Sequence, residues 1–471
     1  MQPLVHSFPG FAGDLFRRAL FGLIALSLLQ AQGPSWAWAK SAGGGESAEG
    51  QSIAVDTRGN VYVTGFFDSD SLTFGSTTLR NAGQRDIFVV KYDPNGQVLW
   101  AKSAGGNLQD KGLAIAVDAR GNVYVTGTFA SSTLTFGSMN LRNVGGDLLF
   151  RSDIFVVKYD PNGEVLWAKS AGGNRQEESL AIAVDARGNV YLTGTFGSHT
   201  LTFGSTTLRN TGFDDIFVVK YDPNGEVLWA KSAGGNFIDY GRAIAVDARE
   251  NVYVTGSFES TTVTLGATIL KNAGGADIFV VKYDPNGEVL WAKSIGGGKD
   301  ERSYDIAVDA RENVHITGYF KSSPLILGAT TLRNAGFLDI LVVKYDPNGQ
   351  VLWAKSTGGN SGESGRGIAV DASGNVYVTG SSGSNSLTFG STTLKNAGES
   401  NIFIVKYTPN GQILWAKGAG GSSRKGGKGI TVDVSGNVYV TGGFEGDSLT
   451  LDAIELKSTG SYYMFVGKLK Q

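Results

Sequence analysis

The chain has 471 residues, 41 of them basic and 43 acidic, for a formal net charge of -2 with no long run of either sign. Nothing in that balance would draw the protein onto nucleic acid or an anionic membrane. It has no cysteine, which excludes disulfides, thiolate metal sites and a Cys nucleophile, and its 68 glycines, 10 prolines and 41% apolar residues describe a turn-rich globular chain.

At the N-terminus, Arg17 and Arg18 precede an apolar run from Ala19 to Leu29, followed by the small and polar residues Gln30 to Pro34. That is the order of a secretory signal peptide, and an apolar run of about a dozen residues falls short of the roughly 20 that a spanning helix needs. Residues 1–33 therefore read as a cleaved signal and 34–471 as one exported domain, periplasmic, extracellular or on the cell surface. No membrane insertion is expected after cleavage.

Beyond the signal the chain repeats. A Trp-Ala-Lys core starts at Trp38, Trp100, Trp167, Trp229, Trp291, Trp353 and Trp415, with spacings of 62, 67, 62, 62, 62 and 62. Each repeat holds four short segments of β-branched and aromatic residues, in one copy Ile244 to Asp247, Val252 to Phe258, Ile278 to Tyr283 and Val289 to Ser294. We label these strands A to D. The A–B turn carries an Asp able to accept backbone N–H groups, with Gly or Asn taking positive φ; the C–D turn is Asp-Pro-Asn-Gly, suited to a bulged hairpin. Between B and C, Leu-Thr-Phe-Gly-Ser-Thr-Thr-Leu-Arg-Asn suggests a small extra hairpin at its Gly-Ser.

The strands are apolar on both faces, including Val227, Leu228 and Trp229, so each sheet needs a sheet on either side. Radial packing of four-stranded antiparallel blades meets that need. Trp36 to Gly44 supplies a strand D without its A to C, and the last repeat ends at a strand C. The expected fold is all-β, a seven-bladed β-propeller closed when the N-terminal strand completes the last blade, with the tryptophans packed between blades.

The segments Ala-Ile-Ala-Val-Asp-x-x-Gly-Asn-Val-Tyr-Val-Thr-Gly, Asp-Ile-Phe-Val-Val-Lys-Tyr-Asp and Gly-x-Val-Leu-Trp-Ala-Lys resemble the bacterial β-propeller repeat family SBBP from about Trp36 to the C-terminus. The resemblance implies an exported or cell-surface bacterial protein and brings no catalytic residues. The Asp-x-x-x-Gly-x-Val-Leu-Trp portion also resembles the tryptophan-docking motif of quinoprotein dehydrogenases, which typically have eight blades and a quinone pocket; neither is found here.

Across the copies, the A–B and C–D turns are nearly invariant, while the B–C and D–A loops of the opposite face diverge. A binding site is expected on that divergent face, among Phe150, Phe213, Phe337, Tyr462, Phe237 and Tyr240, with a protein or glycan partner and the chain a monomer. The competing account of these aromatics is that they cover the bases of their own loops. An acid recurs shortly before strand A at Asp110, Glu177, Asp239, Glu301 and Glu363. These carboxylates either ring the mouth of the axial channel, where Ca²⁺ could use their oxygens, or accept backbone N–H groups locally. His199 and His315 have no recognisable partners, so no triad or histidine metal site is expected, and no catalytic residue or cofactor is assigned. The remaining alternatives are a hydrolase or quinone-dependent enzyme using loop carboxylates, and a purely structural repetitive surface protein.

Overall fold

The computed structural model describes residues 33–146, 151–396 and 398–471. Among them are seven four-stranded antiparallel sheets, each with a two-stranded hairpin in its B–C connection. In the fourth blade the strands are Asp239–Val246, Val252–Phe258, Asp277–Tyr283 and Val289–Ile295, and the hairpin pairs Thr262–Leu265 with Thr268–Lys271. No helix among the described residues is long and apolar enough to cross a membrane. The expected signal segment, 1–32 of it, lies outside the described residues.

The ring closes as the repeat count requires. Ser35–Ala42 pairs antiparallel with Tyr462–Lys470 and becomes strand D of the seventh blade, so strand C of that blade is paired on both sides like the others. In the fourth blade strands B and C are buried along their whole length, and their Val, Ile, Phe and Tyr side chains join an apolar cluster with the neighbouring blade.

Neighbouring blades are joined at strand D. The Trp229 indole N–H donates to the Pro285 carbonyl in the C–D turn of the following blade at 3.1 Å, and Trp38, Trp100, Trp167, Trp291 and Trp353 repeat the bond at 3.0–3.2 Å. The turn glycine serves twice. Gly287 sits at φ 82, and a Cβ there would lie 2.9 Å from the Trp229 ring. At the last seam the C–D turn is interrupted, and Gln471 stands in for it, taking a hydrogen bond from Lys406 and donating to the Tyr377 hydroxyl and the Gly436 carbonyl.

Three expectations need correction. Strand A begins five residues earlier than its apolar run, because a bulge, between Gly241 and Ala243 in the fourth blade, lets the Gly-rich stretch continue the pairing. Strand D is the outer edge of its sheet, so Leu228 is about half exposed and Val227 and Trp229 are only partly covered. In two A–B turns it is Glu250 (φ 65) and Glu312 (φ 63), not the following Asn, that takes the left-handed conformation. Each of these glutamates is held by Arg and Lys of the preceding blade: Glu250 by Arg187 at 2.8 Å and Lys220 at 3.5 Å, Glu312 by Arg249 at 2.9 Å and Lys282 at 3.6 Å.

Gly287→Ala places a Cβ against the indole and an L-residue at positive φ. It is expected to destabilise the protein by about 1–3 kcal/mol, read as a lower urea midpoint; an unchanged midpoint would remove this turn from the account.

Candidate functional site

The recurring acids are the first residues of strand A, and all five are fully buried. They therefore do not line the channel mouth. Asp239 accepts the Gly235 N–H at 2.9 Å, the Ser260 N–H at 3.2 Å and the Ser260 hydroxyl at 2.6 Å. Asp110 does the same with Gly106 and Ser131, and Glu177 and Glu363 take N–H groups from Gly173 and Ser198, and from Gly359 and Ser384. Glu301 accepts from Lys321 and Ser322. Each acid thus ties the D–A loop to the start of the B–C loop, which fixes the base of the divergent face. Where the seventh blade has Lys425, its ammonium donates to the Ser423 and Glu445 carbonyls instead. Among the described residues no three His, Cys, Asp or Glu side chains gather as a metal site, so the Ca²⁺ expectation finds no coordinating group there.

The channel is lined instead by the bulge residue of each strand A, including Arg242, Tyr304, Arg366 and Lys428, and its lining is more basic than acidic. Arg366 lies over the Tyr304 ring at 4.0 Å and Arg242 over Tyr240 at 4.4 Å. Lys428 pairs with Glu49 at 3.1 Å. The sequence signal was a variable residue before each otherwise repetitive Ala-Ile-Ala-Val, such as Arg242, which varies because it faces the axis and not a neighbouring blade.

The divergent face does carry exposed aromatic rings. Phe213 is 58% exposed and Phe237 46%, and the two stack at 6.5 Å between centroids with planes 21° apart. Phe337 is 66% exposed, with the Lys321 ammonium 5.3 Å over its ring and Lys321 paired to Asp300 at 2.6 Å. A groove of about 590 Å³ runs from Phe237 to Asp300, lined also by Glu259, Thr261, Asn272 and Gly274. Tyr240 and Tyr462 are half-buried; Tyr240 is covered by Arg242, and the Tyr462 hydroxyl reaches Glu49 at 3.5 Å. These two do not join the exposed set. Phe150 lies outside the described residues.

His315 occupies the place where other blades have a tyrosine donating to the A–B turn aspartate. Its Nε2 is 3.3 Å from Asp309 Oδ2, compared with 2.9 Å for the Tyr253 hydroxyl and Asp247. Burial holds its pKa below the ordinary histidine value, a neutral turn strut inside a blade.

Burial pushes Glu177 up to about 7 and Asp239 up to about 6, and raises Asp110 and Glu301 in the same direction. A raised acid favours its protonated form in the folded chain. Its stability contribution is therefore complete below the ordinary carboxyl range and is lost as pH climbs through the folded value. Glu177→Gln is expected to flatten the fall in melting temperature between about pH 4 and pH 7 relative to the parent; parallel profiles would show that Glu177 titrates normally.

Residues 38–65 and 353–388 match the beta-propeller repeat family SBBP. An uncharacterized WD repeat-containing protein of Acanthamoeba polyphaga mimivirus is 26% identical, over 86% of this chain and 36% of its own length. The regulatory protein FlaEY of Caulobacter vibrioides is 25% identical, over 69% of this chain and 36% of its own. The chain thus spans little more than a third of the length of both relatives. Among solved structures, the Neurospora crassa Pan2 WD40 domain is 10% identical with a TM-score of 0.43, covering 90% of this chain and 89% of that one. Two segments of this chain thus match SBBP beta-propeller repeats, and the chain folds as a seven-bladed propeller.

Proposed function

We propose that this propeller is an exported interaction module whose divergent face binds a protein or carbohydrate partner outside the cell. The observation that carries the reading is the exposed Phe213–Phe237 stack at one end of a polar groove with Phe337 beyond its other end. Rings left in water on a rigid frame offer flat apolar contact at low entropic cost, to a sugar's C–H face or to a peptide side chain. The groove between them supplies the polar part, with Glu259, Thr261, Asn272 and Asp300 along it. Strands A to C beneath are locked by interblade packing, so the loops need little reorganisation on binding. Export is argued from Arg17, Arg18 and the apolar run that follows them.

A glycan array and a pull-down from the surrounding medium, run with the protein and with the triple change Phe213→Ser, Phe237→Ser and Phe337→Ser, test the binding. The expected result is a partner lost by at least about tenfold in the variant with the thermal melt unchanged. Binding that survives intact would make the three rings loop cover. Export has its own check in the N-terminal sequence of the protein recovered from its producing cell. A start near residue 34 supports it, and an intact Met1 overturns it.

A further inference from the structure

Six blades end strand B with a phenylalanine, at Phe67, Phe129, Phe196, Phe258, Phe320 and Phe444, and every one of them is fully buried. The ring packs beneath the outer hairpin of its own blade, as Phe258 does with Val263, Leu265 and Leu270. The sixth blade has Ser382 at that position. Two further departures fall in the same blade: Asn401 stands where Asp starts strand C in five others, and Gly418 where the other strand D segments have Ser.

All three substitutions line one cavity of about 680 Å³. Its walls are mostly apolar, with Leu387, Leu394, Ile402, Phe403 and Ala419. The surroundings have not collapsed into the vacated space. Leu394 is partly exposed where its six counterparts are buried, and Asn401 is partly exposed where the corresponding aspartates are covered. Two anchors hold the walls apart. Asn396 donates to the Ser382 carbonyl at 3.2 Å, and Gly420 bridges to Thr450 of the next blade's hairpin. A pocket with mostly apolar walls that the backbone cannot close leaves those walls in water and gains by covering them with an apolar guest.

We infer that this pocket is a binding site for a small uncharged aromatic molecule. The guest ring takes the space that a phenylalanine fills in the other blades. The volume lies within the ordinary range for small-molecule sites, about 300–1,000 Å³. The lining also includes Lys395 and Asp452, the latter already paired with Lys417 at 2.7 Å, and a charged guest would pay desolvation against the leucine and isoleucine walls. The site is in the sixth blade, apart from the Phe213, Phe237 and Phe337 face, and does not depend on the reading of that face.

The test uses para-cresol as probe, with calorimetry for affinity and nuclear Overhauser contacts for location. The protein is expected to bind para-cresol saturably, with contacts from the probe ring to the methyl groups of Leu387 and Leu394. Ser382→Phe, which restores the ring of the other blades, is expected to raise the melting temperature without ligand and to weaken para-cresol by about tenfold or more. Ser382→Leu is a second variant that fills the cavity with less shape constraint, and it is expected to weaken the probe in the same direction. The inference is overturned if para-cresol shows no saturable binding, if its contacts lie elsewhere, or if whichever variant folds retains the parent affinity.

Discussion

At six of the seven seams the tryptophan of strand D rests on the Pro-Asn-Gly turn of the next blade, with its indole N–H on the proline carbonyl and its ring over the glycine. That contact sets several other features. It needs a glycine in the turn, because any Cβ would enter the ring. The residue that opens the turn caps it: Asp284 accepts from Asn286 and Glu288, and Thr408, which replaces the Asp in the sixth blade, accepts from Gln412 while Pro409 still takes the Trp353 N–H. Lysines of strand C add a second bond to the same carbonyl in several blades, Lys158 reaching Pro223 at 3.0 Å. Where the chain's own ends interrupt this turn, Gln471 makes substitute bonds. The ring is therefore a set of near-identical seams, with the seventh blade completed by pairing Ser35–Ala42 with Tyr462–Lys470.

Most of this was legible because it repeats. Seven copies act as an internal alignment, and strand types, turn chemistry, the outer hairpin and the closing strand all follow from residues that recur at one spacing. What escaped reading was whatever depends on where a side chain ends up in three dimensions. Asp239 precedes a visible apolar run and looks like a loop residue, yet the Gly241 bulge extends the strand back to it and buries it. Leu228 looks like core but lies on the outer edge of its sheet. Glu250 breaks a glycine pattern, and only the neighbouring blade's Arg187 and Lys220 show how that is tolerated.

The candidate sites follow the opposite logic. On the divergent face, Phe213 and Phe337 were visible as departures between copies, and both prove exposed, whereas Tyr240 and Tyr462 were equally visible and are half-covered by Arg242 and the Glu49 region. Sequence variation marked the loops but could not sort rings that face water from rings that face a guanidinium. In the sixth blade the informative change was a loss, Ser382 in place of a recurrent phenylalanine. A missing side chain carries little weight until the space it leaves is seen. The rigid repeat makes both kinds of departure interpretable, since six reference copies show what the position does elsewhere.

The central claim is that function sits where the repeats differ, on the face of the B–C and D–A loops and not on the invariant turns. The most direct measurement places a photo-crosslinking residue at position 213 in one protein and at position 224, in an invariant C–D turn, in another, and irradiates each in its native surroundings. The account predicts adducts to a partner from position 213 and none above background from position 224. Adducts from position 224, or an equal yield from both faces, would contradict it.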